Sequence, residues 1–326
     1  MVVLVLIVAG VVALGASAVL VVRIERVGAR VGLSEAALGL VAALMANAPE
    51  VTSAVTAISR GQRDIGVGVI LGSNVFNLAA LLGVGAMVAG RIDLHRRVVV
   101  LGGAVAMWMA LVSTGAVTRV VSVDWSFAGA MVVFVPYVVV SAWPRVTAER
   151  PGATRFSAWL RAALREEEIE LSEAINPRSG GWRDAAVAAV ALLVVIVASV
   201  EMEHAAAAIG SRMHWPSIVI GGVILAGVTS LPNAVAAVYL SARGRGAAAF
   251  SEALNSNNLN VVAGLLIPAV ILGLGRPGQS AQVTNAFYIG LTSLTLMIAY
   301  YRRGLGRVGA AVVIASYVAY VVVATR

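Results

Sequence analysis

Apolar residues run in blocks along this chain, and the blocks are longer than the core of a soluble domain needs. Ten of them cover residues 2–22, 33–59, 65–89, 98–117, 121–140, 185–200, 216–242, 247–274, 282–300 and 308–324. A helix of about 20 apolar residues crosses a bilayer, so the pattern predicts an all-α polytopic membrane protein with ten transmembrane helices. Ala16-Ser17-Ala18 has the look of a leader cleavage site. No basic region precedes the first block, however, and the block is long for a leader; it is expected to remain as a helix.

Two blocks are interrupted by polar residues, and the interruption is duplicated. Asn47-Ala48-Pro49-Glu50 breaks the second block, and Ser73-Asn74-Val75-Phe76-Asn77 follows in the third. Adding 183 gives Ser230-Leu231-Pro232-Asn233 in the seventh and Ser256-Asn257-Asn258-Leu259-Asn260 in the eighth. Pro49 falls on Pro232, Arg60-Gly61 on Arg243-Gly244, and Asn77 on Asn260, with no gap. The chain therefore divides into a first five-helix repeat (1–143), a linker (144–183) and a second repeat (184–326). An odd number of helices per repeat sets the two halves in opposite orientation, so the repeats are expected to be inverted. The arginine distribution agrees. Loops after odd-numbered spans hold 18 arginines, and those after even-numbered spans together with the C-terminus hold 6. This places the odd loops in the cytoplasm and both termini outside, in an integral protein of a prokaryotic plasma membrane.

Composition narrows the chemistry. Only 12% of the residues are charged, against about 25% in soluble domains, and mean hydropathy is +0.92. Cysteine is absent, which removes disulfides, thiolate metal sites and cysteine nucleophiles. The net charge of +8 comes from 24 basic residues, all arginine. In a membrane protein that charge is loop arginine holding the topology, and no nucleic-acid partner is expected. In the linker, Phe156, Trp159, Leu160, Ala163 and Leu164 recur at helical spacing, with Arg161, Arg165 and Glu166-Glu167-Glu168 elsewhere on the turn. That pattern suits an amphipathic helix lying on the bilayer surface, its acidic run a solvated face rather than a regulatory calcium site.

Glu50 is the one acid expected near the bilayer centre. A charge there costs roughly 3 kcal/mol on insertion scales, so it should be protonated or paired with a cation. Asn77, Asn233 and Asn260 offer carboxamide oxygens, Ser73 and Ser256 hydroxyls, and the breaks at the two prolines free carbonyls near Ala46 and Thr229. Such an all-oxygen set suits sodium, potassium, calcium or magnesium over softer metals. Ser73 and Asn77 are four residues apart, as are Ser256 and Asn260, so each pair shares a helix face. Polar glue between helices is the simpler alternative, but glue requires neither the prolines nor the duplication.

Gly72-Ser73-Asn74-Val75-Phe76-Asn77 resembles the helix-three signature of the sodium/calcium exchanger family, in the calcium/cation antiporter superfamily, and Thr229-Ser230-Leu231-Pro232 resembles its helix-seven signature. The resemblance in motifs and layout covers essentially the whole chain. It implies ten helices in two inverted repeats, antiport by alternating access, and an ion site between helices 2, 3, 7 and 8. By position it implies Glu50 as acidic ligand, Asn77 as its carboxamide partner, Ser73 and Ser256 as motif serines, and the Ala46 and Thr229 carbonyls as backbone ligands. The sequence departs from the family where Asn233 replaces a glutamate, Asn260 stands where some members carry aspartate, Asn255 replaces a glycine and Asn47 a serine.

Those departures weaken the case for calcium, which ordinarily takes two or more carboxylates. A divalent ion on Glu50 alone leaves net positive charge at the midplane, whereas a proton, sodium or potassium leaves the site neutral. Glu252, four before Ser256, could supply a second charge nearer the cytoplasmic mouth, or could simply be an acid in the first turn of its helix. Glu201, Glu203, His204 and His214 are expected in a solvated loop between the sixth and seventh spans. The functional expectation is a secondary antiporter, not an enzyme, that moves Ca2+ or another cation against Na+ or H+. It would need no cofactor, and its partners are small inorganic cations and the lipid bilayer. A monovalent cation/H+ antiporter and a non-transporting sensor or scaffold stay open, as does the oligomeric state.

Overall fold

A computed structural model describes residues 1–30, 43–142, 155, 158–164 and 180–325. Nearly all of them are helical. The order is α1 (Val2–Arg30), α2 (Ala48–Ser59), α3 (Arg63–Ala89), β1 (Arg91–Asp93), α4 (Arg96–Thr118), α5 (Val123–Ala142), α6 (Trp182–Met213), α7 (Ser217–Thr229), α8 (Leu231–Ala242), α9 (Gly246–Leu272), α10 (Gln279–Arg302), β2 (Gly304–Gly306) and α11 (Arg307–Ala324). Among the described residues, eight helices are long and apolar enough to cross a membrane, and nine if α7 and α8, bent by 47°, form one span. Of the expected second span, residues 33–42 lie outside the described residues; residues 43–46 are helical and lead into α2. Within the linker, residues 158–164 are helical; Phe156, Arg165 and the Glu166-Glu167-Glu168 run lie outside the described residues.

The sixth span corrects an expectation. It was expected to end at Val200, but α6 continues to Met213 before His214 caps it in the left-handed region at φ 55°. Glu201, Glu203 and His204 are therefore helical residues, not loop residues. The extension is stabilised from outside the helix: Glu203 is fully buried and pairs with Arg60, at the end of α2, at 2.9 Å. The apolar block ended at Glu201 only because the sequence does not show that a guanidinium waits for Glu203.

α3 and α9 form the core, and most of both is buried, whereas α5 and α11 leave most of their surface outward. A polar face hidden among helices and an apolar face turned to lipid is what a bilayer solvent selects. Contact between α3 and α7 relies on small residues. A Cβ on Gly72 would fall 2.1 Å from the Gly222 carbonyl oxygen, and one on Gly221 would fall 2.2 Å from that of Ile65. Three helices also widen into π-helical turns, at Leu78–Val84, Ile220–Leu225 and Asn260–Leu266. Two of these begin at or just after Asn77 and Asn260.

Connections at the helix ends pair specifically. Arg23 and Arg26, near the end of α1, meet Asp184 at the start of α6 at 2.7 and 3.6 Å. β1 and β2 join antiparallel, with Ile92 opposite Leu305, tying the end of α3 to the turn between α10 and α11. Arg63 and Asp64 contact the loop after α9, through the Gly273 carbonyl at 3.3 Å and the Gly278 N–H at 3.0 Å.

Candidate cation site

The two prolines produce matching bends. Asn47 has φ −83° and ψ 1°, and Ser230 has φ −85° and ψ 0°, immediately before α2 and α8. Pro49 and Pro232 stand in the first turn of those helices, where a missing N–H is tolerated. The main chain stays bonded through each bend. Asn47 N–H donates to Ala43 at 3.0 Å and Ser230 N–H to Ala226 at 3.1 Å. Ala46 and Thr229, the expected carbonyl ligands, are buried directly ahead of the bends.

Each bend points its first polar turn at α9 and α3. Glu50 is fully buried; its Oε1 accepts from Ser230 Oγ at 3.0 Å and from Asn233 Nδ2 at 3.4 Å. Asn233 Nδ2 also donates to Asn47 Oδ1 at 2.7 Å, and Ser256 Oγ donates to the same oxygen at 2.6 Å. Asn47 Nδ2 donates in return to the Ser256 carbonyl at 2.9 Å. Asn77 Nδ2 lies 3.3 Å from Ser256 Oγ and 3.0 Å from Asn257 Oδ1. Asn260 Nδ2 donates to Asn74 Oδ1 at 3.1 Å, and Asn74 is bonded to Asn257. One continuous hydrogen-bonded chain thus runs from Glu50 to Asn260.

The same residues hold oxygens that no hydrogen bond satisfies. Glu50 Oε2, Ser73 Oγ, Asn77 Oδ1, Asn233 Oδ1 and Asn260 Oδ1 are buried with no partner among the described residues. An unsatisfied buried acceptor costs about 1–3 kcal/mol, so this many among one set of residues is an expensive arrangement. Hard cations compensate acceptors of this kind. Among the described residues no three His, Asp or Glu side chains converge on a metal position, so the set offers one carboxylate amid amides and hydroxyls.

The structure brings Glu50, Asn47, Asn77, Asn233, Ser256 and Asn260 into one connected group. Ser73 is buried a turn before Asn77 but joins none of them by a hydrogen bond. Its counterpart Ser256 sits at the centre, so the duplicated positions are used unequally. Glu252, one turn before Ser256, is half-buried. Three residues were missed as members. Ser230 holds Glu50, and Asn74 with Asn257 bonds the two motif helices together. All three sit at positions matched by the 183-residue offset, and that was the signal for them.

The profile of the family described as sodium/calcium exchanger protein matches residues 1–144 and 184–326. The chain belongs to the sodium/calcium exchanger family. It is a membrane antiporter of helical spans, and the buried group described above occupies the centre of that fold. Over 298 residues the chain is 23% identical to CaxA of Alkalimonas amylolytica, a protein named as an antiporter; the match spans 88% of this chain and 87% of that one. Similar solved structures include the H+/Ca2+ exchanger CAX, at TM-score 0.73 and 13% identity over 98% of this chain and 82% of that one. Native YfkE matches at 0.69 and 15% over 98% and 91%. The sodium-calcium exchanger NCX_Mj, soaked with Na+ and Sr2+, matches at 0.64 and 17% over 99% of both chains. At these identities the likeness is one of fold.

Proposed function

We propose that the chain exchanges Ca2+ or another cation against Na+ or H+ by alternating access at a midplane site centred on Glu50. The proposed ligands are Glu50, Asn47, Ser73, Asn77, Asn233, Ser256 and Asn260, with the Ala46 and Thr229 carbonyls. Glu252 stands toward the mouth as an attractor. The observation that carries the reading is the buried cluster of unpartnered oxygens around a single carboxylate. One carboxylate neutralises one monovalent cation or one proton, so at least one leg of the cycle carries a single charge. A specific feature favours a second reading, monovalent cation/H+ antiport without calcium. Asn233 fills the position 183 residues from Glu50, so among the described residues no second carboxylate faces the first.

The architecture proposed is ten helices in two inverted repeats, 1–143 and 184–326, joined by a cytoplasmic linker. Two observations support it. Elements recur at the 183-residue offset, with Ala48–Ser59 matching Leu231–Ala242. Contacts between helix ends join odd-numbered loops to odd ones and even to even, as Arg23 with Asp184 and Arg60 with Glu203 illustrate.

The test is flux in proteoliposomes, with labelled calcium and an internal pH dye read together for wild type and Glu50→Gln. Calcium uptake driven by an outward Na+ or H+ gradient, abolished by the variant, supports the first reading. Sodium or potassium collapsing the pH gradient without calcium movement supports the second. No flux in either assay, from folded protein, overturns both.

A further inference from the structure

A groove of about 810 Å3 lies between α10, α11 and the strand pair. Its wall is formed by Leu294, Met297 and Ile298 of α10 and Val308 and Val312 of α11. Met297, Val308 and Val312 are exposed, so in a bilayer this wall opens to acyl chains. At the end near β1 the lining becomes Arg91, Arg302 and Arg307, beside the exposed Tyr301. Arg91 is already engaged with Asp93 and donates to the Arg302 carbonyl at 2.8 Å. Arg302 and Arg307 have no ion-pair partner among the described residues. Gly90 packs against the Arg307 guanidinium, where an added Cβ would stand 3.8 Å away, in van der Waals contact.

A ligand that satisfies both ends must be amphipathic and anionic. Inorganic phosphate would pair with the guanidiniums but leave the apolar wall unused, and a zwitterionic lipid would bring a competing cation to two arginines. We infer that this groove holds one anionic phospholipid, its phosphate between Arg302 and Arg307 and an acyl chain along Met297 and Val312. Basic pockets between membrane helices select such headgroups, and Tyr300 and Tyr301 stand where interfacial aromatics anchor a helix end. Because β1 continues directly from α3, a lipid held here braces the helix that carries Asn77.

The experiment is native mass spectrometry of the full chain in detergent with phosphatidylglycerol, phosphatidylcholine or inorganic phosphate added, alongside thermal unfolding. Wild type is expected to retain one phosphatidylglycerol, in preference to phosphatidylcholine, and to unfold at a higher temperature with it. Each headgroup arginine contributes roughly fivefold in affinity, about 1 kcal/mol, so Arg302→Gln with Arg307→Gln should weaken retention roughly 25-fold. Met297→Trp, which fills the wall and leaves the arginines, should also weaken it. Arg276→Gln, an exposed loop control, should not. Equal retention of both lipids, unchanged retention in the double variant, equal loss in the control, or protection by phosphate alone that matches the lipid would each overturn the assignment.

Discussion

Asn74 and Asn257, 183 positions apart, each donate a side-chain N–H to the other's main-chain carbonyl, at 3.3 and 3.1 Å. Their side-chain oxygens are used in the same crossed fashion. Asn257 Oδ1 accepts from Asn77 and Asn74 Oδ1 accepts from Asn260. The bonds therefore form a closed set in which adding or subtracting 183 exchanges one half for the other, and α3 and α9 are joined at the level of the site.

Replacing Asn74 by alanine removes a side-chain donor to the Asn257 carbonyl and the acceptor of the Asn260 amide. Replacing Asn257 removes a donor to the Asn74 carbonyl and the nearer of two acceptors of the Asn77 amide. Each of Asn74→Ala and Asn257→Ala should destabilise by about 1–3 kcal/mol, and by similar amounts. Each side chain donates to the other's main chain, which alanine leaves in place, so the two share no bond and the double variant should lose close to the sum of the single losses. Thermal unfolding in detergent for the four-member cycle checks this.

Glu50→Gln should separate stability from function. The amide oxygen can still accept from Ser230, while a buried charge is removed, so the cation-free protein should be as stable as wild type or more so. Its stabilisation by added Na+ or Ca2+ should be lost. A cation-induced thermal shift equal to that of wild type would exclude Glu50 as the principal ligand.

Asn233→Glu places a second carboxylate opposite Glu50. Without a divalent ion, the paired acids should lower stability through like-charge repulsion. With calcium the order should reverse, and the calcium-dependent thermal shift should exceed that of wild type by several degrees, since carboxylate count tunes calcium affinity. Titration of unfolding temperature against calcium, with sodium as the comparison, reads both effects.

The Arg60–Glu203 pair should be asymmetric. Arg60 is 41% exposed on its side chain while Glu203 is fully buried, so Arg60→Gln strands a buried carboxylate, whereas Glu203→Gln returns an arginine to water. The first should destabilise more than the second. Equal unfolding temperatures for the two variants would contradict the buried-charge account.

Two glycines should respond in opposite directions to the same substitution. Gly72→Ala drives a Cβ into the Gly222 backbone, and overpacking of this kind costs about 1–3 kcal/mol or more. An added Cβ on Gly290 of α10 meets no atom within 4 Å, so Gly290→Ala should stabilise by roughly 0.5–1 kcal/mol through helix propensity. Unfolding temperature and the monodisperse fraction after purification report on both.

Helical class, most span ends and six residues of the polar group could be read directly from the chain, because each is a local property. Block length sets a span, a proline sets a bend, and a matched offset marks duplicated positions. Asn47, Glu50, Asn77, Asn233, Ser256 and Asn260 were all legible in this way. Which hydrogen bonds they form was decided only in three dimensions, by the approach of α2 and α8 to α9 and α3. That approach puts Ser256 at the centre and leaves Ser73 outside the bonded chain, although the sequence presents them as equivalents. The same holds for Glu203, which reads as a loop acid until Arg60 meets it. It holds also for the groove beside Tyr301, which requires two helix ends and a strand pair far apart in sequence. Local periodicity carries the solvent each residue prefers; it carries no information about which distant partner a buried polar atom will find.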